Sequence, residues 1–389
     1  MGGMISSPPR RQLPAPPPTP PLDDDDLLSE ILLRLPPHPA GLLRASLVCT
    51  RWRRLLRDPG FLRRSRAFHR TPPLLGLYRV TPRAGAFVPV GEAPDLVPAE
   101  RFEPGDADWA VLCCRHGRVL LRSRPGWLHL LVWDPITGHR RCVRLGRLGS
   151  HVDSCNATVL GDPDGLARRE GSFRVAFVFT GNGRASACLY SSETGAWGRL
   201  ITADGRCDDV DSKPSALVGD ALYWMLDDGD ILELHLGKES LAVVEPPPCA
   251  QILYRGNVQL MEAEDFALGF AGVKDYNLHL WVREAGRESP ARWLLRTIIR
   301  LVVFAPPPGV TLRIKMEPPV KILGVDEAGN CAFLRTIFGI YMLSLDAVCL
   351  KKLSDAELLE FVRPYSSFYV AGGAVGGEAG DCGNSETRP

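Results

Sequence analysis

The feature that most constrains this chain is a change of hydrophobic period near residue 70. Before it, Leu27, Leu28, Ile31, Leu32 and Leu35 recur at steps of one, three and four residues, which places them on one face of a helix. After it, apolar residues come in short or alternating runs such as Arg118-Val119-Leu120-Leu121 and Arg174-Val175-Ala176-Phe177-Val178-Phe179, each closed by turn residues. These runs read as strands. Thr71-Pro72-Pro73 stands between the two regimes as a breaker. The expected fold is mainly β with a small N-terminal α segment.

The helical zone, residues 22–69, carries its own punctuation. Asp23 to Asp26 sit where carboxylates favour a helix N-terminus, and Pro36-Pro37 ends the first helix because proline lacks the N–H and clashes with the preceding turn. Pro39 suits the first turn of a second helix with Leu42, Leu43 and Leu47, and Thr50 is expected to cap a third with Trp52, Leu55 and Leu56 inward. Asp58-Pro59 repeats the start signal before Phe61, Leu62 and Phe68. Three or four short helices follow from this pattern. Leu33 lies off the main stripe, so a second apolar face needs cover from the β domain or from a partner.

From residue 72 to 371 similar units recur, each a hairpin with a turn: Trp133-Asp134-Pro135-Ile136-Thr137-Gly138, Ser192-Glu193-Thr194-Gly195-Ala196-Trp197, and Gly219-Asp220-Ala221-Leu222-Tyr223-Trp224 leading to Leu234-His235-Leu236. Leu278-His279-Leu280-Trp281-Val282 and Gly339-Ile340-Tyr341-Met342-Leu343-Ser344-Leu345 continue the series. Spacings of roughly 40 to 60 residues suit four-stranded blades around a channel. The spacing is irregular and leaves blade number open. Residues 1–21 are proline-rich and 372–389 glycine-rich and polar, and both are expected to be disordered.

The segment from Leu27 to Pro36, followed by Leu42 to Leu56 with its Val48-Cys49-Thr50-Arg51-Trp52 element, resembles the F-box. The β zone resembles, more loosely, the kelch-like or F-box-associated β domains of plant F-box proteins, in Asp134-Pro135-Ile136-Thr137-Gly138 and Leu217 to Trp224. One departure is the order Pro21-Leu22 ahead of the aspartates, where the family begins with Leu-Pro. The resemblance implies a non-enzymatic substrate receptor of a ubiquitin ligase. An SKP-type adaptor, and a cullin through it, would dock on the F-box, with Leu27, Leu28, Ile31, Leu32, Leu35, Pro36, Leu43, Val48, Cys49 and Trp52 as the adaptor-binding residues. A target protein would dock on the β domain, where Trp127, Trp197 and Tyr254, aromatic residues near turns, are candidate anchors.

Composition narrows the rivals. A net charge of +1 gives no whole-molecule field that selects nucleic acid or an anionic membrane. Nine arginines between Arg44 and Arg70 form a local basic stripe, but Trp52, Leu55 and Leu56 share its inward face, so the arginines read as a solvated face. No apolar run approaches the ~20 residues that span a bilayer, and the N-terminus lacks the pattern of a signal peptide. Eleven scattered cysteines then point to reduced thiols in the cytoplasm or nucleus. Cys113, Cys114 and His116 lie close together without a second pair at zinc spacing, and Asp204, Asp208, Asp209 and Asp211 lack the oxygen alternation and glycine of a calcium loop. Neither reads as a metal site, no cofactor is expected, and no motif for a nucleophile elbow or phosphate loop occurs.

Overall fold

The structure is a computed structural model; residues 24–80, 86–91, 96–105, 109–124, 129–149, 152–161, 172–284, 291–305, 318–355 and 361–368 are described. The proline-rich leader, the order Pro21-Leu22, Trp127 and the glycine-rich tail lie outside them.

Four helices come first: α1 (Asp25–Leu33), α2 (Pro39–Val48), α3 (Thr50–Arg57) and α4 (Pro59–His69). Asp24 caps α1, its carboxylate accepting from the Asp26 and Leu27 amides, and Asp58 caps α4 by accepting from Phe61 N at 2.9 Å. Thr50 is not the cap of α3. Cys49 takes that place in extended backbone, its Sγ accepting from Trp52 N at 3.5 Å, and Thr50 becomes the first helical residue. Leu28, Leu32, Leu33, Ala45, Leu56 and Phe61 form one small core, with Trp52 and Leu55 packed against it.

Leu74 opens the β domain with β1 (Leu74–Val80) and β2 (Ala86–Pro89). Blade one follows as β3 (Trp109–Arg115), β4 (Arg118–Ser123), β5 (His129–Trp133) and β6 (Arg140–Arg144). Blade two is β7 (Ser154–Gly161), β8 (Phe173–Gly181), β9 (Arg184–Ser191) and β10 (Ala196–Trp197), with β11 (Ile201–Thr202) also on β9. Blade three is β12 (Ala216–Val218), β13 (Ala221–Met225), β14 (Ile231–His235) and β15 (Ser240–Val244), and α5 (Ala250–Tyr254) leads out of it. Blade four is β16 (Val258–Ala263), β17 (Ala267–Lys274), β18 (Asn277–Glu284) and β19 (Arg292–Arg300), and blade five is β20 (Lys321–Val325), β21 (Cys331–Thr336), β22 (Gly339–Ser344) and β23 (Cys349–Ser354). The last strand, β24 (Phe361–Ser366), pairs with β1, so the sixth blade has the order β2-β1-β24 and the two ends of the domain close the ring. The fold is a six-bladed β-propeller with short helices ahead of it.

The apolar runs that read as strands are apolar for a definite reason. Val119 and Leu121 point into the core between blades six and one, whereas Leu120 between them points into the core between blades one and two. Likewise Leu222 and Trp224 face blade two while Tyr223 and Met225 face blade four. Side chains alternate across a strand, and a strand covered on both faces must be apolar at successive positions. The recurring units sit at different places in their blades: Trp133 to Gly138 joins the third and fourth strands of blade one, whereas Gly219 to Trp224 joins the first and second of blade three. That difference explains the irregular spacing. The sixth blade escaped the sequence pattern because its strands lie at opposite ends of the domain.

Candidate functional site

Two regions hold the candidate residues: the outer surface of the helices, and the channel and rims of the propeller.

On the helices, the ten residues expected at an adaptor interface divide into two sets. Leu28 and Leu32 are fully inside the helical core, and Leu35 and Trp52 are half-buried against it. Leu27, Ile31, Leu43 and Val48 are between 41 and 61% exposed, with Pro36 and Cys49 exposed beside them. The stripe Leu27, Leu28, Ile31, Leu32 and Leu35 is therefore not one buried face. Residues four apart share a line on a helix: Leu28 and Leu32 take the inward line, and Leu27 and Ile31 the neighbouring outward one. Leu33, expected to lie on an uncovered second face, is core, at 5% exposure. Leu47, at 65%, is a further exposed leucine, four residues after Leu43 on α2.

The arginines of this zone are partly neutralised. Arg51 Nε lies 2.7 Å from Asp25 Oδ1, Arg34 and Arg64 both approach Glu30, and Arg53 Nε donates to Ser46 O at 3.2 Å. Trp52 packs on the core, so its ring is not a free stacking platform.

In the propeller, a bulge of the protein's own backbone is held by side chains of four other blades. Segment 211–215 leads into β12, the inner strand of blade three, and its five consecutive carbonyls are each capped by a side chain from a surrounding blade. Asn156 Nδ2 donates to Asp211 O and Lys213 O, Arg363 Nη2 to Ser212 O at 3.0 Å, Gln259 Nε2 to Pro214 O, and Arg115 Nη2 to Ser215 O at 3.0 Å. Arg363 Nε also donates to Leu112 O. Asn156, Gln259, Arg115 and Arg363 are all buried, which is why each must be hydrogen-bonded. Burial pushes the Arg363 guanidinium down to about 10, still cationic at neutral pH. Sequence reading missed this bulge. Its trace is a buried amide or guanidinium side chain inside a strand: Asn156 in β7, Gln259 in β16, Arg363 in β24.

At the end of the channel where the inner strands finish, His116 links three blades. Its backbone, at φ 52°, donates to Glu327 Oε2 at 3.0 Å, its Nδ1 accepts from Gly161 N at 2.8 Å, and its Nε2 lies 3.3 Å from Glu327 Oε1. An Nδ1 that accepts leaves the proton on Nε2, the neutral tautomer. Burial accordingly lowers the His116 pKa, with Glu327 opposing and Arg115 and Arg118 adding to the effect. Cys113 Sγ lies 3.4 Å from Thr158 Oγ1, and burial raises both the Cys113 and Cys114 thiols. Among the described residues no cluster of three or more His, Cys, Asp or Glu is placed to hold a metal, and no helix is long and apolar enough to cross a membrane.

The aromatic anchors are corrected by the structure. Tyr254 is buried, its OH accepting from Trp281 Nε1 at 2.8 Å in the core between blades three and four. Trp197 Nε1 donates to Arg144 O at 2.8 Å and its ring packs on Tyr190 and Phe177 between blades one and two. Both hold blades together, as large aromatics near turns do when neighbouring sheets stack face to face.

The architecture defines a class, a six-bladed propeller joined to an F-box-like helical unit. Comparison with known proteins gives the family. The F-box domain matches residues 24–64, and the family described as F-box protein AT5G49610-like, β-propeller, matches residues 110–365, well over half of the chain. The chain belongs to this family of F-box proteins. No curated protein matches it. Among solved structures it is similar to apo AztD from Citrobacter koseri, with a TM-score of 0.32, 12% identity, and 62% of this chain and 58% of that one covered. It is also similar to the Swd1 β-propeller domain of Myceliophteria thermophila (0.36, 11%, 62% and 72%) and to the PQQ-bound aldose sugar dehydrogenase of Streptomyces coelicolor (0.36, 15%, 74% and 87%). The chain thus spans less than two thirds of the first structure's length, and likenesses this slight say nothing about activity.

Proposed function

We propose that the protein is the substrate receptor of an SKP–cullin–F-box ubiquitin ligase acting in the cytoplasm or nucleus, and that it has no catalytic residues of its own. The helices bind an SKP-type adaptor and thereby a cullin, and the propeller binds a target protein. The observation that carries this reading is the set of large aliphatic side chains, Leu27, Ile31, Leu43, Leu47 and Val48, left exposed on helices whose own core is already filled. A unit of about 45 residues has little apolar surface to spare, and large aliphatic side chains left outside its filled core mark a partner interface. Leu28, Leu32 and Trp52 then hold the helices in place, while Leu27, Ile31, Pro36, Leu43, Val48 and Cys49 make contact.

Holding a target near a ubiquitin-loaded enzyme raises the effective concentration of its lysines without a catalytic group in this chain. The inner polar side chains, committed to segment 211–215, support recognition on the propeller's rims and edges rather than chemistry within.

The test is Ile31→Asp and, separately, Leu47→Asp in the full-length protein. Both positions are exposed, so the melting temperature should hold while SKP-type adaptor and cullin cease to co-purify. Burying an unpaired carboxylate costs several kcal/mol, against about 8 kcal/mol for an entire micromolar complex. Folded variants that recover adaptor and cullin at the wild-type level would refute the assignment.

A further inference from the structure

In antiparallel four-stranded blades the connections emerge alternately on two faces. The turns between first and second strands, such as 116–117 and 326–330, share a face with the point where the helices enter, since Tyr365 OH donates to Gly117 O and Ser367 N to Pro73 O. The opposite face carries the turns between second and third strands and the links between blades. On it, Ile252 of α5 is 80% exposed, Val302 and Val303 after β19 are about two-thirds exposed, and Phe338 stands at the β21–β22 turn. These are apolar side chains at the rims of blades three to five, with no role in the cores beneath them.

The same face over blades two and three carries six aspartates and one arginine, Arg206, within residues 204–209 and 227–230. Asp204, Asp208 and Asp209 lie on the link between these blades, and Asp227, Asp228 and Asp230 on the adjoining turn of blade three. The two stretches touch, since Asp227 N donates to Asp209 O at 2.8 Å. Burial and then the charges of Asp211, Asp209 and Asp208 raise the Asp227 carboxyl, with Lys213, paired to Asp211, opposing them. The apolar and acidic sectors are continuous, because the Gln251 side chain of α5 rests against Gly229 in the acidic turn.

We propose that this face is the target-docking surface and that it takes an extended protein segment bearing Lys or Arg over blades two and three and aliphatic residues over α5 and Val302-Val303. The proposal rests on the receptor role and specifies its target class. Burying the aliphatic rim supplies affinity, while the aspartates reject acidic segments and steer basic ones. Nucleic acid, itself anionic, does not fit. The face lies across the propeller from the helix entry, so target and adaptor do not compete for space.

The test is a peptide-display selection on the immobilised full-length protein, followed by fluorescence anisotropy of the enriched peptides. Two exposed double variants serve as comparisons, Asp204→Lys with Asp208→Lys and Ile252→Asp with Val303→Asp, each checked by thermal melting. Enriched peptides should combine Lys or Arg with aliphatic residues, bind more weakly as salt rises, and lose about tenfold or more in affinity in each variant. Enrichment without basic residues, or binding that neither variant changes, overturns the proposal. Adaptor recovery is scored in the same preparations. Its absence from the wild-type protein counts against the receptor role, whereas the peptide profile alone decides the docking face.

Discussion

The helices and the propeller use the same aliphatic side chains in opposite ways. In the propeller, every blade covers its neighbours and the ring closes on itself, so that successive residues such as Val119, Leu120 and Leu121 are all inside. In the helices, a core of Leu28, Leu32, Leu33, Ala45, Leu56 and Phe61 is complete while Leu27, Ile31 and Leu47 remain outside. A closed architecture spends its apolar surface on itself. A small open one keeps some in reserve, and that reserve is where a partner is expected.

The strongest way to break this comparison is to open the ring. Removing residues 361–389 deletes β24, the inner strand of the sixth blade, and exposes the paired edges of β1 and of its neighbours. The propeller should then aggregate or lose cooperative unfolding, as followed by circular dichroism and limited proteolysis. A soluble, cooperatively melting product would show that closure is dispensable.

Next in size is a contrast within α1. Leu28→Ala removes a fully buried side chain and should cost about 3 kcal/mol of helical-unit stability, within the range for cavity-forming changes. Leu27→Ala, one residue away and half-exposed, should change stability by less than about 0.5 kcal/mol yet weaken adaptor recovery. Equal effects on stability would mean that the inward and outward lines of α1 are wrongly divided.

The 211–215 bulge should give a somewhat smaller loss. Arg363→Met leaves the carbonyls of Leu112 and Ser212 without their donor but also removes a buried cation, so the net cost is about 2 kcal/mol by chemical denaturation. Adaptor binding should be untouched, because the bulge lies in the propeller and the docking surface on the helices.

The smallest effect concerns pH. His116 has a pKa lowered by burial, so the folded state binds its proton less readily than the unfolded chain. Its contribution is present above the unfolded histidine pKa of about 6.5 and is lost as pH falls below it. Comparing wild type with His116→Asn, which tolerates the left-handed backbone, between pH 7.5 and 5.5 should show the shallower acid destabilisation in the variant. An identical pH profile would remove His116 from the inter-blade contact with Glu327 and Gly161.

Much of this was legible in the chain itself. The change of period near residue 70, the caps at Asp24 and Asp58 and the proline at the start of α2 are local signals, and local backbone geometry obeys them. The apolar runs announced strands because a strand's facing pattern is written in consecutive residues. Leu33 and Leu27 exchanged their expected places because a stripe on a nine-residue helix is broad, and only the position of α3 and α4 decides which side of it is covered. Tyr254 and Trp197 looked like anchors because sequence shows that an aromatic is near a turn and not whether another blade stands in front of it. The sixth blade and the 211–215 bulge join residues far apart in the chain, from 45 positions for Gln259 with Pro214 to 251 for Arg363 with Leu112. Sequence alone determined the helical character of the first zone, the strands within its apolar runs and the change from one regime to the other. Ring closure, the held bulge and the identity of the exposed leucines were decided by tertiary packing, since each depends on which distant surfaces meet and exclude water.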